Sequence, residues 1–224
     1  MVEVNCETDF VSRNEDFLAF AKKLAQTIGE KNPADVAAAA ALPFDGGSVE
    51  SARQALVQKI GENVAIRRFA RFATPARLMQ YLHGGGRIGV TVELEGGDEA
   101  TGRDIAMHVA ASAAPGAIRP VCISRDQVPA ELIAKEREIY AAQAADSGKP
   151  ADIVAKMIEG RVRKFLSEIS LSEQAFVKDP ETTVGKLLKQ AGAELAGFVR
   201  FEVGEGIEKE ETDFAAEVAA QLKG

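Results

Sequence analysis

The sequence predicts an α+β fold in which antiparallel sheets are covered on one face by helices. A strand with alternating apolar and polar residues, an acid-rich turn and an amphipathic helix follow one another three times along the chain. The connections between predicted strands are short, which favours antiparallel neighbours over the long crossovers of a parallel sheet. With 224 residues, the chain is long enough for one large domain or two small ones.

The first of these units lies at the N-terminus. Val2, Val4 and Cys6 alternate with polar residues, as in a half-buried strand. Ser12 and Glu15 match a Ser-x-x-Glu capping box, which predicts that a helix begins there. The apolar positions of that helix recur at helical spacing: Phe17, Phe20, Ala21, Leu24, Ile28. Residues 8–11 are therefore predicted to connect the strand to the helix.

This connection, Thr8-Asp9-Phe10-Val11, contains the most informative residues of the chain. A large aromatic in a short connection either folds back onto its own core or projects toward a partner. The sequence leaves both alternatives open for Phe10. If the ring projects, it marks an exposed surface for contact with a partner.

A helix and two strands are predicted between the first and second units. Ser48 is a candidate N-cap, and Gly61 is interpreted as a weak point in the interior of the helix. Strands are expected at residues 65–72 and 78–82. The glycines of residues 83–87 then favour a hairpin into the next strand.

The second unit begins with the strand at Ile88. An acid-rich turn follows at residues 96–99, and the next helix carries Ile105 and Val109 on one apolar stripe. The third unit repeats the pattern with a strand at residues 195–203 and a helix bearing Phe214, Val218 and Leu222. Both units support the α+β class.

The region between these two units is predicted to be mainly helical. Helices are expected at 130–146, from 151 onward and from Thr183 to a stop at Gly192. The middle helix has apolar residues spaced four, three and four apart, as in the seam of a coiled coil: Ile158, Val162, Phe165, Ile169.

This narrow seam suggests a helical pair that projects from the body of the protein. Residues 170–180 would then form its tip. Phe176 and Val177 would either be available to another protein or pack against the stems, and the sequence leaves both alternatives open.

Composition narrows the class of function. The formal net charge of −7 argues against nucleic acid as the main partner, and a protein partner fits better. The local cluster of Arg67, Arg68 and Arg71 is interpreted as the solvated face of a strand.

No apolar run approaches the roughly 20 residues that span a bilayer, so we expect a cytoplasmic protein without a membrane partner. Cys6 and Cys122 are predicted to be buried thiols.

The sequence contains no recognisable motif for catalysis, a metal or a cofactor. His83 and His108 are the only histidines, and no acidic, Cys or His grouping has metal-ligand spacing. Neither a G-x-S-x-G elbow nor a phosphate-binding glycine loop occurs. His108 borders the apolar stripe of its helix, which is typical of a histidine at the edge of a core. Met107 faces another side, which favours use of this helix for contact.

Several motifs together resemble one family over essentially the whole chain. In order, they are Val-Asn-Cys-Glu-Thr-Asp-Phe-Val at 4–11, Ile-Gly-Val at 88–90, Ile-Ala-Met-His-Val-Ala at 105–110, Ser-Gly-Lys-Pro at 147–150, Val-Gly-Lys-Leu-Leu at 184–188 and Phe-Val-Arg-Phe-Glu-Val-Gly-Glu-Gly-Ile-Glu at 198–208. Together they resemble bacterial and organellar translation elongation factor Ts.

The resemblance implies a guanine-nucleotide exchange factor for elongation factor Tu, a protein GTPase, with no covalent chemistry and no cofactor. It also implies two related antiparallel-sheet-plus-helix subdomains with a protruding helical coiled-coil insertion. The N-terminal half of this core would be 1–101, its C-terminal half 102–150 with 192–224, and the projection 151–191. The family usually begins with a small three-helix domain, which we expect to be absent here, with weaker affinity as a result.

By the same resemblance, the segment Thr8, Asp9, Phe10 and Val11 approaches the magnesium side of the partner's nucleotide site. Phe10 would act as a wedge between partner side chains. Asp9 would place a charge near the region that organises Mg²⁺. These roles require no metal site in the chain itself.

A second contact is implied near the partner's phosphate loop, made by His108 and Met107. Ile88 and Phe176 are candidates for further contact. The rival hypothesis is a non-catalytic or chaperone-like binding protein for the same GTPase, which would leave the dwell time of the nucleotide unchanged. The sequence leaves open whether the chain forms an oligomer.

Overall fold

The computed structural model describes residues 1–112, 117–144 and 148–207. In these ranges the helices are α1 (Asp9–Ser12), α2 (Glu15–Lys31), α3 (Val36–Ala40), α4 (Val49–Ile60), α5 (Glu99–Ala111), α6 (Ala130–Ala144), α7 (Ala151–Ile169) and α8 (Val184–Gln190). The strands are β1 (Val2–Asn5), β2 (Pro43–Phe44), β3 (Gly47–Ser48), β4 (Ala65–Phe69), β5 (Arg77–His83), β6 (Ile88–Gly96), β7 (Ala175–Phe176), β8 (Asp179–Thr183) and β9 (Ala193–Glu202). All paired strands among them are antiparallel, which confirms the predicted α+β class.

The N-terminal part of the chain surrounds a cluster of buried apolar side chains that we call the first core. β1 pairs with β4 beside it, and α2 packs against α4 and β1. The predicted stripe on α2 is confirmed, because Phe17, Phe20, Leu24 and Ile28 all lie on its buried face. The first core comprises Val4, Val11, Phe17, Phe20, Leu24, Ile28, Ala39, Phe44, Val49, Leu56 and Val64.

Two helix boundaries differ from the prediction. Asn14, not Ser12, caps α2, and its side-chain oxygen accepts the backbone N–H groups of Asp16 at 2.9 Å and Phe17 at 3.3 Å. Ser12 is instead the last residue of α1. Gly61 is not an interior residue of α4 but its C-terminal stop, with a φ of 81°, a conformation that glycine adopts without steric cost.

A second core lies between a three-stranded sheet and α5. The strand order β5-β6-β9 places β6 at the centre, and the predicted hairpin through residues 84–86 is confirmed. Asp98 caps α5 by accepting the N–H of Thr101 at 2.8 Å, so the helix packs on the sheet with Ile105 and Val109 buried. The second core comprises Ile88, Val90, Val92, Leu94, Ile105, Ala106, Val109, Ala110, Leu171, Phe176, Val184, Leu188 and Leu195.

α6 and α7 pack against each other, and we call them the helical pair. The Arg161 guanidinium donates to the side chain of Gln143 at 2.8 Å and lies 5.6 Å from the centre of the Tyr140 ring. Arg137 and Glu159 form an ion pair between the two helices. A small apolar cluster adjoins the pair: Cys122, Val128, Ile169, Leu132, Ile133, Phe165 and Leu166.

Residues 170–180 do not form the tip of the helical pair, and that prediction is wrong. After α7 the chain turns directly into the second core, where Leu171 and Phe176 are buried. α8 packs on the same core through Val184 and Leu188. Burial of these apolar side chains beside β6 and α5 therefore stabilises the chain more than their exposure on a projection would.

Arg67 and Arg68 do not form a solvated strand face, so that prediction is wrong for these two residues, whereas Arg71 is exposed. The Glu3 carboxylate on the paired strand β1 is buried and accepts from Arg67 Nη1 at 2.9 Å and from Arg68 Nε at 2.5 Å. The backbone N–H of Gly204 adds a third bond at 3.1 Å. The chain after β9 therefore covers a strand face that alternation alone predicted to be open to solvent.

Two further predictions concern the cysteines and the C-terminus. Cys122 is buried, as predicted, whereas Cys6 is partly exposed. The predicted helix with Phe214, Val218 and Leu222 lies outside the described residues. Within the described ranges, no helix combines the length and the apolar character that crossing a membrane demands.

Candidate functional site

Phe10 lies on the surface, with 83% of its area exposed. It belongs to α1, a single helical turn between β1 and α2, and not to an irregular connection. The alternative in which the ring folds back onto its own core is therefore wrong. A large apolar ring presented singly at this level of exposure gains nothing for the stability of its own chain.

The turn that carries Phe10 is fixed at its start by Thr8. The Thr8 side chain accepts the backbone N–H of Val11 at 3.4 Å, as an N-cap does. Its hydroxyl donates to Glu62 Oε1 at 2.6 Å, and its backbone N–H donates to Glu62 Oε2 at 3.0 Å. Because both carboxylate oxygens of one residue bind Thr8, the beginning of α1 is tied to the end of α4.

Val11 fixes the other side of the turn. Its side chain is buried in the first core, one residue after the exposed Phe10. The Ser12 hydroxyl donates to the carbonyl of Asp9 at 2.8 Å, which satisfies a helix-end acceptor. Of the four predicted residues, Asp9 and Phe10 therefore face outward, whereas Thr8 and Val11 hold them in place.

Asp9 leaves an exposed negative charge beside the Phe10 ring. It forms an ion pair with Arg13, at 3.5 Å one helical turn later, and both side chains are largely exposed. Exposed pairs of this kind contribute little because water screens them. Asp9 therefore keeps an accessible carboxylate on the surface.

His108 lies on α5, which packs on the second core, and only 8% of its area is exposed. Its Nδ1 accepts the backbone N–H of Val177 at 3.1 Å, so the ring in its neutral form donates from Nε2 to Gln174 Oε1 at 3.0 Å. Burial lowers the pKa of His108, and the bond to Gln174 opposes that effect only in part. The residue is thus a neutral histidine at the edge of a core.

The surroundings of His108 are apolar and partly open. A cavity of about 380 Å³ lies beside the ring, and exposed Ile118 and Val177 form part of its wall. Met107 on the same helix is half-buried. Ile88 and Phe176, by contrast, are each only 5% exposed, so neither offers an outward contact surface in this conformation.

Glu62, Gln174 and Val177 position Thr8 and His108; sequence reasoning missed the first two and named Val177 only as a residue of a projecting tip. Each lies more than 50 residues from the side chain it contacts, and none belongs to a motif. Only the tertiary structure brings these groups together. Among the described residues, no group of three or more His, Cys, Asp or Glu side chains is arranged to hold a metal ion.

Comparison with known proteins adds independent information. A sequence model of the family described as Elongation factor TS matches residues 7–205. The chain is 57% identical to elongation factor Ts of Janthinobacterium sp. (strain Marseille), 60% to that of Cupriavidus necator and 58% to that of Paraburkholderia phytofirmans. Each similarity extends over 222 residues, which are 99% of this chain and 73% of the relative. The chain belongs to the elongation factor Ts family.

Proposed function

We propose that the chain is a guanine-nucleotide exchange factor that promotes the release of GDP from translation elongation factor Tu. The observation that supports this most strongly is the outward position of Phe10 on a turn held at both ends, by Thr8 and by Val11. A rigid aromatic anchor of this kind is typical of residues that dominate a protein interface. Family membership supports the choice of partner.

The proposed mechanism displaces the groups that hold GDP. A bound nucleoside diphosphate depends on its Mg²⁺ and on backbone N–H groups around its phosphates. Phe10 would enter between side chains on the magnesium side of that site, and Asp9 would bring its negative charge close to the same region. The two outward side chains of α1 thus act on one feature of the partner, the metal that neutralises the phosphates.

His108 and Met107 would form a second contact, near the partner's phosphate loop. Because His108 is nearly buried and both its ring nitrogens are occupied, we propose that it presents only an edge, together with the exposed Val177. The chain performs no covalent step in this mechanism. Both contacts act through shape and charge alone.

Thermodynamic linkage constrains this mechanism. If the factor weakens GDP binding by some ratio, GDP weakens factor binding by the same ratio. The contacts at Phe10 and His108 must therefore be better in the nucleotide-free partner than in the bound one. Nucleotide concentrations, and not the factor, then set the direction of exchange.

The three-part division predicted from the sequence, 1–101, 102–150 with 192–224, and 151–191, remains a prediction. The packing supports a variant of it, in which the first core, the second core and the helical pair are separate functional parts. We propose that the helical pair is the coiled-coil projection and grips a different part of the partner. We also propose a cytoplasmic location, where the partner works.

Release of a fluorescent GDP analogue from elongation factor Tu tests this function. With excess unlabelled GDP, the chain should increase the release rate in proportion to its concentration until the rate saturates. A chain that binds elongation factor Tu but leaves the release rate unchanged would overturn the proposal and favour the non-catalytic binding protein. Binding is measured in parallel by calorimetry with the nucleotide-free partner, so that the two results are separable.

A further inference from the structure

The joint between the two cores contains a buried charge that the proposed function leaves unused. The Glu3 side chain is only 1% exposed, although it belongs to the short strand β1 at the edge of the first core. Burial alone raises the pKa of a carboxyl group, but hydrogen bonds from Arg67, Gly204 and Arg68 outweigh it and hold the pKa of Glu3 below its usual value. Glu3 is therefore a buried carboxylate anion at neutral pH.

The partners of this anion come from both sides of the joint. Arg67 and Arg68 lie on β4, the strand that pairs with β1, whereas Gly204 lies in the turn after β9, a strand of the second sheet. A carboxylate oxygen of Glu3 is thus shared between the two sheets: Oε1 accepts from Arg67 at 2.9 Å and from Gly204 at 3.1 Å.

The two arginines also reach across the joint directly. Arg67 donates to the carbonyl of Glu205, and Arg68 lies 3.4 Å from the Glu205 carboxylate. Arg68 further donates to the carbonyl of Glu202 at 3.3 Å, and its guanidinium lies 4.3 Å from the centre of the Phe201 ring. Glu3, Arg67, Arg68 and Glu205 form one connected group, which we call the bridging cluster.

The position of the bridging cluster relates it to both proposed contacts. β1 leads within a few residues into Thr8 and α1, and Val4 of β1 and Val11 of α1 are buried in the same first core. The placement of β1 relative to the end of β9 therefore bears on where the Phe10 turn lies. β9 pairs with β6, and α5 with His108 packs on β6. A directional group of hydrogen bonds between β1, β4 and the end of β9 therefore acts on the angle between the two contact sites.

We propose that the bridging cluster is a positioning device, which fixes the Phe10 turn and the His108 edge in the one relative orientation that lets both engage the same partner. This inference rests on the proposed exchange function. A small misplacement of groups that must act together has a large effect on rate, and hydrogen bonds fix an angle better than apolar contacts do. Replacing the cluster should leave each core folded but lower the rate of GDP release, which depends on both contacts at the same time.

Three substitutions test the proposal. Glu3→Gln removes the shared anion. Glu205→Gln removes a partly exposed carboxylate that pairs with Arg68 across the joint and also with Arg119, so it tests the proposal even if Glu3→Gln folds poorly. Glu50→Gln is the matched control, because Glu50 also binds an arginine through two bonds, at 2.8 and 2.6 Å, but both lie within α4. All proteins are compared at a temperature at which they remain folded.

Two measurements are made on each variant. The first is the saturating rate of GDP release, which we expect to fall about tenfold for Glu3→Gln, less for Glu205→Gln and not at all for Glu50→Gln. The second is amide hydrogen exchange, in which the Gly204 N–H should exchange faster in the two bridging variants while the amides of β6 stay protected. A general loss of stability would instead accelerate exchange throughout.

The outcomes separate the two proposals. Faster exchange at Gly204 with an undiminished rate of GDP release would overturn the positioning role and leave the exchange function intact. Loss of protection along β6 would show that Glu3 merely stabilises the fold, which also overturns it. If the unaltered chain fails to accelerate GDP release, the exchange function itself is wrong and the bridging role is wrong with it.

Discussion

Substitution of Thr8 by valine tests whether the rigidity of the Phe10 turn matters. Valine keeps the β-branched shape but removes the hydroxyl that accepts from Val11 at 3.4 Å and donates to Glu62 at 2.6 Å. Loss of an N-cap costs about 1 kcal/mol, and loss of an exposed hydrogen bond to a carboxylate costs about 0.5–1.5 kcal/mol. The backbone bond from Thr8 to Glu62 at 3.0 Å remains.

The expected penalty is therefore about 1.5–2.5 kcal/mol, and it is concentrated on α1. A helix of four residues has no stability of its own, so this turn should open locally before the first core unfolds. The rate of catalysed GDP release should fall by about tenfold or more, because 1.4 kcal/mol corresponds to a factor of ten. The Phe10 ring itself is unaltered, so the change isolates its positioning.

The assay combines urea unfolding with GDP release at several concentrations of the factor. Ser12→Ala is the matched control, since it removes a hydroxyl bond of 2.8 Å from the same turn without touching the cap. We expect Ser12→Ala to retain most of the activity. If Thr8→Val released GDP as fast as the unaltered chain, the idea that a fixed turn presents Phe10 would be refuted.

Two further predictions concern stability. His108 has a lowered pKa in the folded chain because it is buried, so on acidification the unfolded form gains a proton first. The free energy of unfolding should therefore be at its full value above pH about 6.5, the ordinary pKa of histidine, and should fall as the pH drops below it. Urea unfolding of His108→Gln should show a weaker fall, and equal slopes would contradict this. Gly29→Ala should stabilise the chain by about 0.5–1 kcal/mol, because Gly29 lies inside α2 with open space around it. Gly61→Ala should instead destabilise the chain by about 1 kcal/mol, because the φ of Gly61 is 81°. Opposite signs in one thermal-unfolding experiment are the expected result.

The sequence was sufficient wherever a local rule and the tertiary structure favoured the same answer. The stripe of α2 has the period of a helix face, and only one orientation buries it. The glycines at 84–86 allow the tight hairpin, and β5 and β6 then pair as predicted. The acid-rich turn at 96–99 and the helix predicted from Thr183 both agree with the structure, where Asp98 and Thr183 accept the first N–H groups of their helices.

The prediction failed where two local rules competed. Ser12 and Asn14 both suit an N-cap, and the sequence favoured Ser12 because Glu15 completes its capping box. The extra turn α1, which holds Phe10 outward, shifts the beginning of α2 to Glu15 and gives the cap to Asn14. Local pattern alone does not contain the anchoring of Thr8 by Glu62 that makes this turn stable.

The prediction also failed where burial depends on distant segments. Alternation along β1 placed Glu3 on a solvent-facing side, but the turn after β9 covers it. An apolar residue such as Phe176 fits a projecting tip as well as a core, and it is buried because it lies next to the second core. In both cases the covering segment is far away in sequence, which is information that periodicity lacks.

The central claim is that the Phe10 ring acts on the partner and not on its own fold, and Phe10→Ala tests it most directly. The control is Val121→Ala, which also truncates an exposed apolar side chain, 55% exposed, but lies outside the proposed contacts. Both variants should unfold in urea within about 0.5 kcal/mol of the unaltered chain. We predict that Phe10→Ala slows catalysed GDP release by about 30-fold, as for loss of an interface anchor, while Val121→Ala does not. Equal release rates for all three proteins would contradict the account.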